Sequence, residues 1–322
     1  MVLVLVEHAA GRVEELSLQA LTFATTLAEA SSPQALLIGP GARDAAVELG
    51  THGVGVAHVA EHDGLGAYAP DAWARILRDL ANRISASVVI ASGSERGNDV
   101  MARLAARARL PLATNCTAVR PGVPLAVTRL RWGGSLLEEA QLHAPRALLT
   151  TAPHAFSASA PAQPVPVEVL PFEPELDASD LVVRVSEQVP TTVAGQSLTE
   201  AKVVVSGGRG VGSAEGFGLI EELSRLLGGA VGCSRAVTSA GWRPHTEQVG
   251  QTGTKIAPEL YVACGISGAT QHMAGCKGAK RILAINTDAE ASIMAQADYA
   301  VIGDLHEIIP ALCAEIRRLR QS

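Results

Sequence analysis

The residues best suited to chemistry crowd into one stretch of the second half of the chain. Gln248-Val249-Gly250-Gln251-Thr252-Gly253 is followed by Cys264-Gly265-Ile266-Ser267-Gly268-Ala269-Thr270-Gln271-His272. Hydroxyls, amides, glycines and one histidine at this density suit a ligand with phosphates, ribose hydroxyls and a ring bearing several hydrogen-bonding atoms. Glycine lets a pyrophosphate approach the backbone, and a helix opening after such a turn offers unpaired N–H groups and the positive end of its dipole. The competing reading is ordinary turn chemistry with a helix N-cap, which Ser267 alone would satisfy equally well. Other chemistries leave no trace. There is no G-x-S-x-G run, no His/Cys cluster at metal-ligand spacing and no evident acid–base pair. His8, His52, His58, His62, His143, His154, His245 and His306 are expected at the surface or in the core.

A parallel sheet is the framework that would hold such turns. In the second half, strands are expected over 202–205, 260–263, 281–285 and 299–302, with helices over 214–227 and near 270–274. The first three strands run into Ser206-Gly207-Gly208-Arg209-Gly210, Gly265-Ile266-Ser267-Gly268 and Asn286. In open parallel sheets, ligands bind beyond the carboxyl ends of the strands. Gly-Gly-Arg-Gly is not the G-x-G-x-x-G fingerprint, however, and no acidic ribose partner stands at the usual distance. Asp304 and Glu307 have capping-box spacing at the start of a last helix.

The first half alternates in the same way. Strands are expected over 2–6, 35–38, 54–59 and 88–91, with helices over 13–30, 42–49, 71–83 and 98–109. From Val119 onward shorter strands follow over 123–128, 148–151 and 181–185, with Pro153, Pro161, Pro164, Pro166, Pro171 and Pro174 among them. Proline at this density disfavours helix interiors and central strands, so an extended ribbon along a sheet edge is expected. A connector near 189–199 then separates an N-terminal α/β domain, 1–190, from a second α/β domain, 191–322.

Composition bounds the function further. A chain of 322 residues can bury two ordinary cores. It is 48% hydrophobic with only 18% charged residues, so disorder is excluded. A net charge of -6 gives no electrostatic footprint for nucleic acid, and Arg317, Arg318 and Arg320 suit the carbonyl end of the last helix. The apolar start Met1–Val6 is short, lacks a basic leader and is ended by Glu7, so a buried strand is expected rather than a signal peptide. No stretch reads as a membrane span, and the protein is expected in the cytoplasm. Cys116, Cys233, Cys264, Cys276 and Cys313 are odd in number, with no C-x-x-C pair, which fits reduced core thiols.

One ordered set of motifs is more specific than any single turn. Residues 202–307 contain Val231-Gly232-Cys233-Ser234-Arg235-Ala236, then the 248–253 run, Ala257-Pro258-Glu259-Leu260, Gly265 to His272, Ala284-Ile285-Asn286 and Ala297-Asp298-Tyr299. This order and spacing resembles the FAD domain of electron-transfer flavoprotein alpha (large) subunits. The first half is similar to that family's N-terminal α/β domain through looser motifs. One departure stands out: the family pattern has Lys directly after Gln-Thr-Gly, whereas here Thr254 precedes Lys255.

The resemblance implies two domains, each a mostly parallel sheet flanked by helices, the second Rossmann-like and FAD-binding. It implies a redox carrier without its own substrate turnover. FAD would take electrons from flavin dehydrogenases, such as the acyl-CoA dehydrogenases of fatty acid β-oxidation, rest as an anionic semiquinone, and donate to a quinone oxidoreductase. The implied partner is a beta subunit that carries AMP and completes a heterodimer. By the same resemblance Arg209, Ser234 and the turn Ser267, Gly268, Ala269, Thr270, Gln271 and His272 bind the diphosphate, adenosine or ring edge. Asn286, Asp304 and Leu305 face the adenosine end, and Arg235 lies near the isoalloxazine. Val249, Gly250, Gln251, Thr252 and Gly253 run along the flavin, with the Thr252 hydroxyl at N5 and His272 at the N1 and C2 carbonyl edge. An NAD-dependent oxidoreductase on a doubly wound fold is the rival reading; it needs a dinucleotide fingerprint and a catalytic acid or base. A nucleotide-binding regulatory protein without redox chemistry is a third.

Overall fold

Val2, Val4 and Val6 belong to one hydrophobic core and Leu3 and Leu5 to another, so the strand β1 (Val2–Leu5) is buried on both faces. Side chains alternate across a strand, and two covered faces are the condition of a central parallel strand. The computed structural model describes residues 1–27, 32–134, 136–161, 163–187, 198–199 and 201–321. The chain divides into two units, Met1–Val189 and Pro190–Ser322. The connector expected near 189–199 falls almost wholly outside the described residues.

In the first unit β1 is followed by a hairpin of β2 (His8–Ala9) and β3 (Arg12–Val13), then α1 (Glu15–Thr25), β4 (Gln34–Ile38), α2 (Ala42–Glu48), β5 (Val56–Ala60), α3 (Pro70–Arg83), β6 (Val88–Ala91) and α4 (Glu95–Ala108). The chain continues through β7 (Leu112–Arg120), β8 (Leu125–Arg131), β9 (Leu136–Leu142), β10 (Ala147–Thr151) and β11 (Glu168–Phe172). Among the described residues these form a nine-stranded sheet in the order β11-β5-β4-β1-β6-β10-β7-β8-β9. It is parallel from β11 to β7, and β7, β8 and β9 run antiparallel at one end.

Two differences from the expected pattern, and one expectation met along the sheet edge, have local causes. The first helix starts at Glu15 rather than residue 13 because Ala10 and Gly11, both at positive φ, close the β2–β3 hairpin. The strand expected over 181–185 is absent. Instead Asp177 and Asp180 cap a 3₁₀ turn, Ala178–Leu181, and the buried Asp180 carboxylate accepts from Arg107 Nη1 at 2.9 Å. Side-chain ion pairs hold that segment, leaving no ladder to join. The proline-rich stretch supplies β11, whose Pro171 is tolerated because β11 is an edge strand.

The second unit runs β12 (Val203–Gly207), α5 (Phe217–Leu227), β13 (Ala230–Cys233), α6 (Arg235–Ser239), β14 (Leu260–Cys264), α7 (Thr270–Cys276), β15 (Ile282–Asn286), β16 (Tyr299–Ile302) and α8 (Leu305–Gln321). Its sheet is parallel throughout, in the order β13-β12-β14-β15-β16. Tyr261 and Ala263 face one core of this unit, and Val262 and Cys264 the other. The chain moves from β12 out to β13 and returns to β14 on the other side of β12. The carboxyl ends of β12 and β14 therefore flank a topological switch point. Among the described residues no helix is long and apolar enough to cross a membrane.

Candidate functional site

At the switch point two glycine turns meet backbone to backbone. Gly208 N–H donates to the Cys264 carbonyl at 2.8 Å and Gly210 N–H to the Gly265 carbonyl at 3.1 Å. A Cβ on Gly208 would stand 2.1 Å from the Gly265 oxygen, so only glycine allows this approach. Gly265 itself sits at φ +64, a conformation that side chains disfavour. The turn after β12 thus stays flat against the turn after β14, and the crevice beyond both strands stays open.

The segment 248–254 forms one wall. It is tied to β13 by Val249 N–H to the Cys233 carbonyl at 2.9 Å, and to α7 by Gln251 N–H to the Gln271 carbonyl at 2.7 Å. It curls on itself through Thr254 N–H to the Gln248 carbonyl at 2.7 Å. Gly250, at φ +151, lies against Gly275 of α7; a Cβ on Gly275 would meet Gly250 N at 2.3 Å. Gln248 is buried and spans two hydroxyls: its Oε1 accepts from Thr238 Oγ1 at 2.8 Å and its Nε2 donates to Thr252 Oγ1 at 3.0 Å. With an acceptor site of Thr252 engaged, its own O–H is left to donate toward a ligand.

The start of this wall is anchored by ions. Arg243 grips the buried Glu247 carboxylate with Nε at 2.7 Å and Nη2 at 2.9 Å, and reaches Glu221 on α5 with Nη1 at 2.5 Å. Bidentate geometry fixes orientation as well as distance. Glu247 directly precedes Gln248, so α5 is pinned to the cavity wall.

His272, on α7, is buried, and its Nε2 lies 2.6 Å from the hydroxyl of the fully buried Tyr261 on β14. Its Nδ1 is buried with no hydrogen-bond partner among the described residues. Burial lowers the His272 pKa to about 4, against a smaller opposing effect of the Val249 carbonyl, so the ring is neutral at pH 7. Burial also drives the Tyr261 phenol well above its ordinary value, and it keeps its proton. The wall therefore presents a neutral imidazole. All five cysteines are free and buried. Burial pushes Cys233, Cys264 and Cys276 up to about 12, which makes them inert core thiols.

Together these walls enclose a cavity of about 360 Å³, open on one side. Of the residues singled out in the sequence, Arg209, Ser234 and Arg235 line it from the turns after β12 and β13. Val249, Gly250, Gln251 and Thr252 line it from the 248–254 segment, Ser267, Ala269, Gln271 and His272 from the β14–α7 turn, and Asn286 from the end of β15. Among the described residues neither Arg209 nor Arg235 has an acidic partner, although both are exposed.

Five residues stand outside the lining, for evident reasons. Gly253 faces inward: a Cβ there would be 2.2 Å from the Gln248 carbonyl. Gly268, at φ +80, lies against the Ile293 backbone, 2.4 Å from its nitrogen to a notional Cβ. Thr270 is the exposed first residue of α7. Asp304 caps α8, accepting from His306 N–H at 2.9 Å, and Leu305 is packed in a core. The structure adds Gly210, Ala236, Gln248, Gly265, Ile266, Asp288 and Ala291 to the lining. Gln248 and Gly265 lie within the runs that drew attention in the sequence. Asp288 follows the strand end at Asn286, whose Oδ1 accepts its N–H at 3.0 Å.

An adenine dinucleotide carrying a flavin fits these residues in three respects. The glycine turns admit a diphosphate against the backbone, unpaired arginines face its charge, and the orphaned Nδ1 of His272 awaits an acceptor. Fold and cavity define an α/β protein with an open, polar-lined cavity at the switch point of a parallel sheet. Residues 2–175 match the Electron transfer flavoprotein domain, and residues 197–277 match the Electron transfer flavoprotein FAD-binding domain. The chain is similar to the electron transfer flavoprotein subunit alpha of Mycobacterium tuberculosis, at 39% identity over 98% of this chain and 98% of that one. The same-named protein of Bacillus subtilis is 34% identical over 99% and 98%, and that of Thermoanaerobacterium thermosaccharolyticum 33% over 98% and 97%. The chain belongs to the electron transfer flavoprotein alpha-subunit family, as its motifs led one to expect.

Proposed function

We propose that this chain is the FAD-carrying subunit of a heterodimeric electron carrier, and that the cavity between β12, β14 and α7 is where FAD binds. One observation carries the reading: a switch-point cavity is lined by two arginines without acidic partners among the described residues, and by His272, whose buried Nδ1 has no hydrogen-bond partner among them. FAD supplies the redox chemistry, taking electrons from flavin dehydrogenases such as acyl-CoA dehydrogenases and releasing them singly to a quinone oxidoreductase. The chain's own residues bind and tune. Arg209 with the glycine turns suits the diphosphate. Arg235 brings a charge that cannot be lost by deprotonation, and this favours reduced, anionic flavin. Thr252, oriented by Gln248, and His272 offer donors to the ring, at N5 and at the N1 and C2 carbonyl edge respectively. Asn286, with its side chain holding the Ile266 carbonyl at 2.9 Å, shapes the adenosine end. A beta subunit containing AMP completes the carrier, which works in the cytoplasm and turns over no substrate of its own.

The test is coupled electron transfer. Co-purified with its beta subunit, the protein is expected to be reduced by a substrate-charged acyl-CoA dehydrogenase and reoxidised by a quinone oxidoreductase, while leaving the acyl-CoA untouched when alone. Direct oxidation of a small substrate with NAD, without any dehydrogenase, would replace this reading by the oxidoreductase one.

A further inference from the structure

The hydrogen bond between Tyr261 and His272 has two possible directions, and the surroundings choose between them. A neutral imidazole carries one N–H and one lone pair, and a phenol must place its own proton. If Nε2–H donated to the Tyr261 oxygen, the phenol proton would have to turn to the Ser206 hydroxyl beside it, and the Nδ1 lone pair would be buried without a donor. A phenol is the stronger donor and an imidazole nitrogen the stronger acceptor of this pair, so that arrangement is the weaker one. If Tyr261 donates to Nε2, the phenol is satisfied and Nδ1 carries the proton. What the ring then leaves open is a donor, Nδ1–H, on a residue that lines the cavity. The Val249 carbonyl also acts on the ring in the sense that favours a protonated nitrogen. The phenol belongs to the central strand β14, is fully buried and lies at 32° to the imidazole, so its position is fixed by the core.

We infer that Tyr261 is a positioning residue that locks His272 in its Nδ1–H tautomer, so that the cavity receives a neutral donor matched to an uncharged or anionic acceptor atom. The inference rests on the FAD reading for the identity of that acceptor, a carbonyl or reduced-ring nitrogen of the flavin, but not for the tautomer itself. It makes the imidazole a fixed dipole, whose donor direction is set from behind by the sheet. An acceptor on the ligand completes it. A ligand group that donates at this point would meet another donor and be rejected.

The tautomer is read directly by ¹⁵N NMR of histidine-labelled protein, as the full chain with its beta subunit, with His272→Asn used for assignment. At pH 7 the wild type is expected to show a neutral His272 with Nδ1 protonated and Nε2 unprotonated. In Tyr261→Phe, which keeps the ring and removes the hydroxyl, the Nε2–H tautomer should appear and FAD should bind roughly five- to tenfold more weakly, as for one lost hydrogen bond. His272→Asn places an amide near the Nδ1 position, so in that background Tyr261→Phe should leave FAD affinity unchanged. An Nε2–H tautomer or a cation in the wild type overturns the inference, and so does a tautomer indifferent to Tyr261→Phe. If Tyr261→Phe does not fold, the wild-type spectrum alone decides. A wild-type heterodimer that binds no FAD would overturn the flavin reading, while its His272 spectrum would still decide the tautomer.

Discussion

Gly275→Ala should loosen the cavity wall even though it replaces a glycine within a helix. On α7 alone, alanine would be favoured by up to about 1 kcal/mol. Against this, the new Cβ would stand 2.3, 2.4 and 2.8 Å from N, Cα and C of Gly250, closer than real Cβ contacts come. These are backbone atoms, and the 248–254 curl, closed by Gly250 N–H to the Thr254 carbonyl at 3.3 Å, holds them in place. Overpacking of a tight interior costs roughly 1–3 kcal/mol; three backbone clashes put this case in the upper part, about 2–3, which after the propensity gain leaves a net loss of about 1–2 kcal/mol. Gly218→Ala is the matched control: it also lies in a helix, α5, but nothing stands within 4 Å of its Cβ. Thermal unfolding of both variants is the assay, at about 4 °C per kcal/mol for a unit of this size. Gly275→Ala should melt roughly 4–8 °C lower and bind FAD at least tenfold more weakly. Gly218→Ala should match the wild type or exceed it slightly. Equal melting and equal FAD affinity in the two variants would refute the close packing of α7 on the 248–254 segment.

Arg235→Ala should lower the FAD midpoint potential by about 30 mV or more in redox titration, since a two-electron shift of that size is about 1.4 kcal/mol; an unchanged potential would remove Arg235 from tuning. Arg243→Ala strands the buried Glu247 carboxylate and should destabilise the second unit by about 3 kcal/mol in urea unfolding, with Arg243→Lys recovering little because lysine cannot form the fork. Acid should weaken the second unit through His272. The unfolded ring takes a proton near pH 6.5 and the folded one only near about 4, so stability falls as pH drops between those values. The total is on the order of 3 kcal/mol. Unfolding at pH 7 and pH 4.5 should show His272→Asn losing less stability than the wild type; equal losses would assign the acid lability to other groups.

Much of the candidate site was legible because its chemistry is local. Glycines at strand ends and the run from Gln248 to Thr252 mark places where the backbone must turn sharply or be approached closely. The elements that escaped the sequence are those whose neighbours decide them. β13 has four residues, one of them Gly232, and is a strand because β12 lies beside it. β9, Leu-Leu-Glu-Glu-Ala-Gln-Leu, shows no period-two alternation and leaves Leu136 and Leu137 exposed, so it carries no strand signal of burial. Tyr261 gave no sign of a role, since in the sequence it is one more large residue in a buried strand. Only the fold brings its hydroxyl to His272, eleven residues on. Likewise Asp180 reads as one acid in a proline-rich stretch until Arg107 is seen to hold it.

The cofactor content of the purified heterodimer tests the central assignment most directly. Expressed together with its beta subunit, this chain should yield a yellow protein with one FAD per copy, which is lost on denaturation and regained on refolding with added FAD. A well-folded, colourless heterodimer that takes up no FAD on reconstitution would contradict it.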